Sequence, residues 1–201
     1  MNFFKQYNMK IKNLRFLLPV FIFLVLVMFI LPYYSYEGYS IIEHTTSLLG
    51  AQNTPNAWVM NLTFILLGIA IFLESLFHLK QYWIPKILLN IFALGLILVG
   101  IFQHAPLMEN MTYNVVDDNL HSVFASLVGF SFIIFAFTTV FVEKTNFGRI
   151  LSFLVGISVT ILSLLMFNLS DFAGLWQRLM FIIAFSWLIF FLERIRLIKN
   201  C

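Results

Sequence analysis

Six long apolar segments determine what this chain can fold into, because each is about as long as a bilayer is thick. They cover roughly residues 14–33, 57–79, 85–103, 121–142, 148–167 and 176–193. An α-helix needs about 20 apolar residues to cross a hydrocarbon core of about 30 Å. None of the segments alternates apolar and polar residues, as a membrane β-strand does. We therefore expect an all-α membrane protein, a single domain over residues 1–201 that forms a six-transmembrane-helix bundle.

Composition supports this class. Of 201 residues, 61% are hydrophobic and only 10% are charged, whereas soluble domains have about 25% charged residues. The single cysteine, Cys201, excludes an internal disulfide and a CxxC metal or redox motif. The first apolar run follows a basic segment, as in a signal peptide, but it is longer than a typical signal core and lacks a small-residue cleavage site. We expect it to be retained as the first helix.

Charges predict the orientation. If the N-terminus is cytoplasmic, eleven of the twelve basic residues lie on the cytoplasmic side and six of the nine acidic residues lie outside. Excess Lys and Arg on the cytoplasmic side is the usual rule, so we expect both termini in the cytoplasm of a bacterium and the helices in its cytoplasmic membrane. Arg178 is the only basic residue expected outside. The cytoplasmic set is Lys5, Lys10, Lys12, Arg15, Lys80, Lys86, Lys144, Arg149, Arg194, Arg196 and Lys199.

The outer connections collect most of the polar residues, including three of the four histidines. We expect a polar cleft there that binds a membrane lipid, another amphiphile or a membrane protein partner, and we expect no nucleic acid partner. The candidate ligand-binding residues are Glu43, Asn56, Gln103, Trp176 and Arg178.

The outer histidines suggest a second interpretation, a zinc-dependent hydrolase or transferase acting on a lipid-like substrate. His44, His104 and His121 would hold the metal and leave a position for a reactive water. Asp118 and Ser47 would orient the substrate or act in catalysis. The simpler alternative is structural: Asp118 or Asn119 caps the fourth helix, His121 lies in the membrane interface, and His44 hydrogen-bonds a loop carbonyl. No HExxH motif is present, so no cofactor is certain.

Two further charged positions have alternative explanations. Arg178 either forms an ion pair with Asp171, Asp117 or Asp118, or contacts a phosphate or carboxylate headgroup. Glu74 and His78 are four residues apart on the second helix and could relay protons in a transporter. A structural pair near the cytoplasmic surface is the alternative.

Small residues inside the segments predict close helix packing, since lipid provides no hydrophobic drive between helices. They are Gly68, Gly95, Gly100, Ser126, Gly129 and Gly156.

Several short motifs resemble an uncharacterised six-helix membrane family, the domain-of-unknown-function family nine-nine-eight, allied to DRAM and Sfk-type membrane proteins. They are the stretch 47–51 (Ser-Leu-Leu-Gly-Ala) with Pro55 and Asn56, the proline after helix three, the stretch 118–121 (Asp-Asn-Leu-His) and the stretch 174–178 (Gly-Leu-Trp-Gln-Arg). The chain departs from the family where residues 103–106 read Gln-His-Ala-Pro instead of Phe-Pro and an acid. The resemblance implies topology and outer-side residues, and it implies no reaction.

The residue types His, Asp and Ser are also similar to those of alkaline ceramidase and adiponectin-receptor membrane hydrolases. Those proteins have seven helices and an HxxxH pair, which this chain lacks.

Overall fold

The computed structural model describes residues 15–108 and 111–200, with side chains up to Leu197. Every regular element in these ranges is helical. The described residues contain six long helices, which are α1 (Leu17–Ile30), α2 (Ala57–His78), α3 (Trp83–Ile101), α4 (Val115–Thr139), α5 (Asn146–Asn168) and α6 (Ala173–Asn200). Short 3₁₀ turns follow α1 at Leu31–Tyr34, precede α6 at Ser170–Phe172 and interrupt the first connection at Thr46–Gly50.

All six helices are long and apolar enough to cross a membrane, with α1 reaching that length through its 3₁₀ extension to Tyr34. The predicted all-α, six-helix bundle is confirmed, and the chain is an integral multi-pass membrane protein. Lys5, Lys10, Lys12 and Glu109, which were used in the orientation argument, lie outside the described residues.

The fourth helix begins earlier than its apolar segment. It starts at Val115, six residues before the predicted 121, and the side chain of Asn114 accepts hydrogen bonds from the main-chain N–H groups of Val116 and Asp117. The expected cap at Asp118 or Asn119 is therefore wrong. Asp117 and Asp118 lie in the first turn, where the positive end of the helix dipole favours carboxylates. Their low hydropathy marked them as loop, although they are helical.

Each helix packs against the next helix along the chain. In addition, α6 contacts α1 and α2, which closes the bundle. Aromatic rings fill the centre: Phe92 contacts Phe132 and Phe185, and Phe135 contacts Trp187. Other large apolar side chains point outward from the helices over the whole circumference of the bundle. Such a surface is unfavourable in water and matches the hydrocarbon of a bilayer.

Glycines allow α2 and α3 to approach each other closely. A Cβ on Gly68 would collide with the main-chain oxygen of Ala93, and one on Gly100 would collide with that of Asn61. Gly129 faces open space instead. Its predicted packing role is wrong, because α4 turns that side of the helix away from its neighbours.

The bundle has two chemically different ends. We call "polar-loop end" the end formed by residues 31–56, 102–108, 111–114 and 169–172, and "basic end" the end formed by residues 15–16, 79–82, 140–145 and 193–200. At the basic end, Arg15 contacts Glu193 at 2.9 Å between Nη2 and Oε1. The first and last described segments therefore lie at the same end of the bundle, as an even number of crossings requires.

Candidate functional site

The first connection, residues 35–56, is the centre of the polar-loop end. It is joined to α6 on one side and to the connection 102–114 on the other. Several buried polar side chains of this end take part in these two junctions, so their geometry decides which of them remain available to a ligand.

Arg178 forms the junction with α6. Its side chain is 2% exposed, and Nη1 donates to the main-chain oxygens of Ile41 (2.7 Å), His44 (3.0 Å) and Gly174 (3.0 Å). Nη2 donates to the hydroxyl of Tyr39 at 2.8 Å. A guanidinium can satisfy so many oxygens because it carries five N–H donors.

These contacts exclude the ion pair that the sequence suggested. None of the salt bridges between described residues involves Arg178, so the predicted pairing with Asp171, Asp117 or Asp118 is wrong. The positive charge is balanced by carbonyl dipoles, which replace the water that a buried cation would otherwise need. The guanidinium presents almost no surface to a headgroup.

The start of α6 adds main-chain bonds to the same junction. The N–H groups of Gly174 and Leu175 donate to the oxygens of Glu43 (3.2 Å) and Ile42 (2.9 Å). A helix leaves its first N–H groups without internal partners, and here the first connection supplies them. A Cβ on Gly174 would collide with main-chain oxygens of Ile41 and His44, so glycine is required at this position.

Gln177 completes the junction. Its Oε1 accepts from the main-chain N–H of Thr46 at 2.6 Å and from the Thr46 hydroxyl at 2.5 Å. Both side chains are buried. The α6 sequence Gly-Leu-Trp-Gln-Arg at 174–178 therefore holds the first connection through four of its five residues.

His44 lies in an aromatic cluster and not with the other histidines. Its ring is 6.2 Å from that of Tyr36 and 5.4 Å from that of Tyr39, and its Nδ1 accepts from the N–H of Ser40 at 2.9 Å. Burial raises the pKa of Tyr36 and of Tyr39 above their usual range, while Arg178 acts in the opposite direction on Tyr39. His44 therefore has a structural role, although its ring bonds a main-chain N–H group and not the expected loop carbonyl.

Gln52 forms the second junction, with residues 102–114. Its Nε2 donates to the main-chain oxygens of Gln103 (3.1 Å) and Asn114 (3.0 Å), and its Oε1 accepts from the N–H of Asn114 at 2.7 Å. Its own N–H donates to the main-chain oxygen of His104 at 2.9 Å. This side chain fixes the backbone on both sides of the second connection.

His104, Asp118 and His121 meet beside this junction. Nδ1 of His104 lies 3.1 Å from Oδ1 of Asp118, which also accepts from the N–H of Ala105 at 2.8 Å. The rings of His104 and His121 meet edge to face at 5.2 Å, and Nδ1 of His121 lies 2.8 Å from the oxygen of Phe102. His121 is buried, whereas the side chain of His104 is 37% exposed.

The zinc hypothesis gains no support from this geometry. Residues 15–108 and 111–200 contain no group of three or more His, Cys, Asp or Glu side chains placed to hold a metal ion. Two of the three predicted ligands are together, but His44 is held by Ser40 and the two tyrosines.

The other predicted site residues are dispersed. Ser47 contacts the hydroxyl of Thr45 at 2.9 Å, Asn56 donates to the oxygen of Tyr34 at 2.8 Å, and Glu43 is exposed. Trp176 packs beside Phe172, and its buried indole N–H has no hydrogen-bond partner among the described residues.

At the basic end, the predicted pair of Glu74 and His78 forms within α2. Oε2 of Glu74 lies 2.9 Å from Nε2 of His78, and both side chains are buried. Oε1 of Glu74 accepts from the N–H groups of Phe16 (2.8 Å) and Leu17 (3.4 Å), so the carboxylate caps the start of α1. Glu74 and His78 therefore form the structural pair that the sequence offered as one of two alternatives.

The residues that organise the polar-loop end are not among the predicted site residues; they are Tyr39, Gln52, Asn114 and Gln177. Each is an uncharged polar residue in or next to a short connection. Gln177 lies in the motif at 174–178, whereas the other three belong to no motif and differ only in lying beside segments otherwise composed of apolar residues.

The family comparison agrees with the motifs. A family model described as Protein of unknown function (DUF998) matches residues 19–192. No curated protein and no solved structure matches the chain.

Proposed function

Because the chain belongs to the family described as Protein of unknown function (DUF998), which states no activity, we propose a function from the geometry of the polar-loop end. In this proposal the protein binds the polar head of an amphiphile, and His104 and Asp118 make the contact while His121 supports them. The polar-loop end faces the outside of a bacterial cytoplasmic membrane, and both termini face the cytoplasm.

The observation that carries the proposal is the fixed orientation of a half-exposed histidine. Nδ1 of His104 faces two oxygens, Oδ1 of Asp118 and the main-chain oxygen of Ala105 at 3.3 Å. Oxygen acceptors require a hydrogen on Nδ1, so in the neutral ring the lone pair lies on Nε2. The buried ring of His121 supports the other side. A ring held on three sides presents one acceptor atom at low entropic cost.

The surroundings indicate what that acceptor would bind. Asp117 and Asp118 place negative charge at the start of α4, and the arginine of the polar-loop end, Arg178, is buried among carbonyls. This favours a headgroup with hydroxyl or ammonium donors over one with phosphate alone. Large apolar side chains of the same region are exposed and could meet the apolar part of the ligand; they are Leu107, Met108, Met111, Tyr113, Val115 and Val116.

A matched pair of lipids tests the proposal. Phosphatidylethanolamine and phosphatidylcholine carry the same charges, but only the first has N–H donors. Purified protein should retain phosphatidylethanolamine about tenfold better, the value of one hydrogen bond to a charged group, as measured by native mass spectrometry. His104→Phe and Asp118→Asn should remove this preference, and Asp117→Asn should keep it. Equal retention by His104→Phe and wild type would refute the site.

A second candidate function, hydrolysis of the bound amphiphile, rests on the same contact between Asp118 and His104. A carboxylate that fixes Nδ1–H leaves Nε2 as a general base. Incubation with radiolabelled phosphatidylethanolamine distinguishes the two functions: water-soluble product that disappears in His104→Phe supports hydrolysis, and unchanged lipid leaves binding as the function.

The orientation has its own test, because Cys201 is the single cysteine. A membrane-impermeant thiol reagent should label it in inverted vesicles and not in intact cells. A Tyr33→Cys variant in a Cys201→Ser background should show the opposite pattern, since Tyr33 is 81% exposed at the polar-loop end. Labelling of Cys201 from outside would reverse the proposed orientation.

A further inference from the structure

A cavity of about 70 Å³ opens at the basic end, between the start of α1, the end of α2 and the last turns of α6. A single water needs roughly 10–15 Å³ of such space, so the cavity has room for a polyatomic group. Charged side chains and aliphatic side chains share its wall. The lining residues include Arg15, Leu18, Glu74, Ile189, Glu193 and Arg196.

The inner wall is electrostatically satisfied. The carboxylate of Glu74 accepts from two main-chain N–H groups of α1 through one oxygen and contacts His78 through the other. A positive helix end and an imidazole N–H thus offset its negative charge. Glu74 therefore does not leave an unpaired acid that would repel an anion.

The rim carries an excess of positive charge. Arg15 and Arg196 both donate to the same oxygen of Glu193, at 2.9 Å and 2.5 Å. Two guanidinium groups thus share one carboxylate. Each uses only its Nη2 in the hydrogen bonds formed among the described residues, so most of their N–H donors are available to an added acceptor.

We propose that this cavity binds the phosphate group of an anionic phospholipid. Arg15 and Arg196 would hold the phosphate oxygens, since guanidinium groups match phosphate in charge and geometry. Leu18 and Ile189 would contact the adjoining glycerol and the first acyl carbons. Basic recesses between transmembrane helices are a recurrent way to bind acidic lipid headgroups.

The position of Glu193 between the two arginines gives the proposal a distinctive test. The carboxylate competes with phosphate for both arginines. Replacing Glu193 with Gln should therefore raise the affinity for anionic lipid, whereas a purely structural network would only be weakened by the same change. The half-exposed position of Glu193, at 32% side-chain exposure, makes this substitution compatible with folding.

The experiment measures the rise in Tm of the detergent-purified full chain during titration with phosphatidylglycerol, phosphatidylcholine, glycerol 3-phosphate or inorganic phosphate. Phosphatidylglycerol should raise Tm at concentrations at least tenfold lower than the other three. An equal effect of free phosphate would overturn the lipid assignment. An equal effect of phosphatidylcholine would overturn recognition of anionic charge.

Variants locate the site. Arg196→Gln and Arg15→Gln should each raise the half-saturating concentration of phosphatidylglycerol about tenfold, and Glu193→Gln should lower it severalfold. Lys144→Gln removes one positive charge from an exposed position at the same end and should change nothing. If Arg196→Gln does not fold, Glu193→Gln alone decides: unchanged or weaker binding would refute the proposal. The site at the polar-loop end is tested by the contrast between phosphatidylethanolamine and phosphatidylcholine, which carry the same charges, so each proposal can fail separately.

Discussion

Replacing Arg178 with methionine should release the first connection from α6. The substitution keeps a long apolar stem and removes the guanidinium that bonds the oxygens of Ile41, His44 and Gly174. Each buried oxygen that loses its donor costs about 1–2 kcal/mol, so the expected loss of stability is on the order of 3–5 kcal/mol. The side chain is 2% exposed, so solvent cannot replace the donor without an opening of the structure.

Two measurements test this value. Tm in detergent should fall by on the order of 10 °C, and amide hydrogen exchange should accelerate in peptides covering residues 39–50. Arg178→Lys should lie between wild type and Arg178→Met, because an ammonium keeps the charge but has fewer donors and a shorter reach. Arg149→Met is the control, since Arg149 is exposed and its Nε donates to a single acceptor, the main-chain oxygen of Glu143, at 2.9 Å. A Tm within about 1 °C of wild type for Arg178→Met, with protection retained at 39–50, would refute the reasoning.

Two further predictions concern buried polar groups. Tyr36→Phe should leave stability unchanged or raise it by up to about 1 kcal/mol, because the buried hydroxyl of Tyr36 has no hydrogen-bond partner among the described residues. Tyr39→Phe should lower stability by about 1–3 kcal/mol, since its hydroxyl bonds Arg178; thermal melting of both variants gives the comparison, and equal effects would contradict it. Burial raises the pKa of Glu143, and Arg194 opposes this at 3.1 Å. A raised carboxyl pKa makes stability fall as pH rises above about 4.3, so the Tm of Arg194→Gln should fall more with rising pH than that of the wild type. Adding Glu143→Gln should flatten that profile, and a slope that persists in the double variant would assign it to another group.

The helices could be predicted from the sequence because membrane insertion is decided by local properties. A run of about 20 apolar residues identifies a crossing whatever its neighbours are. The start of α4 is an exception to this rule. The helix begins at Val115, where Asp117 and Asp118 lower the hydropathy although acidic residues suit a helix start. Capping by Asn114 and not the apolar run determines that boundary.

The polar-loop end was predictable in composition and not in geometry. The sequence analysis placed His104, Asp118 and His121 on one side of the bundle, and the structure brings these three together. It could not separate His44 from them, because this depends on how the first connection folds over α6. The sequence also suggested a charged partner for Arg178, whereas main-chain carbonyl groups are its acceptors, including two that lie more than one hundred residues away in the sequence.

The junction at Arg178 has a consequence for the order of events during synthesis. Ile41 and His44 precede Arg178 by 137 and 134 residues, so their carbonyl groups must wait for the last helix to be made before they gain their donor. Domains made during translation complete their N-terminal parts first, but here the first connection can reach its final form only after the sixth helix has entered the membrane. A ribosome-bound chain that stops after α5 would therefore hold five inserted helices and an unfinished polar surface, which a quality-control protease could recognise.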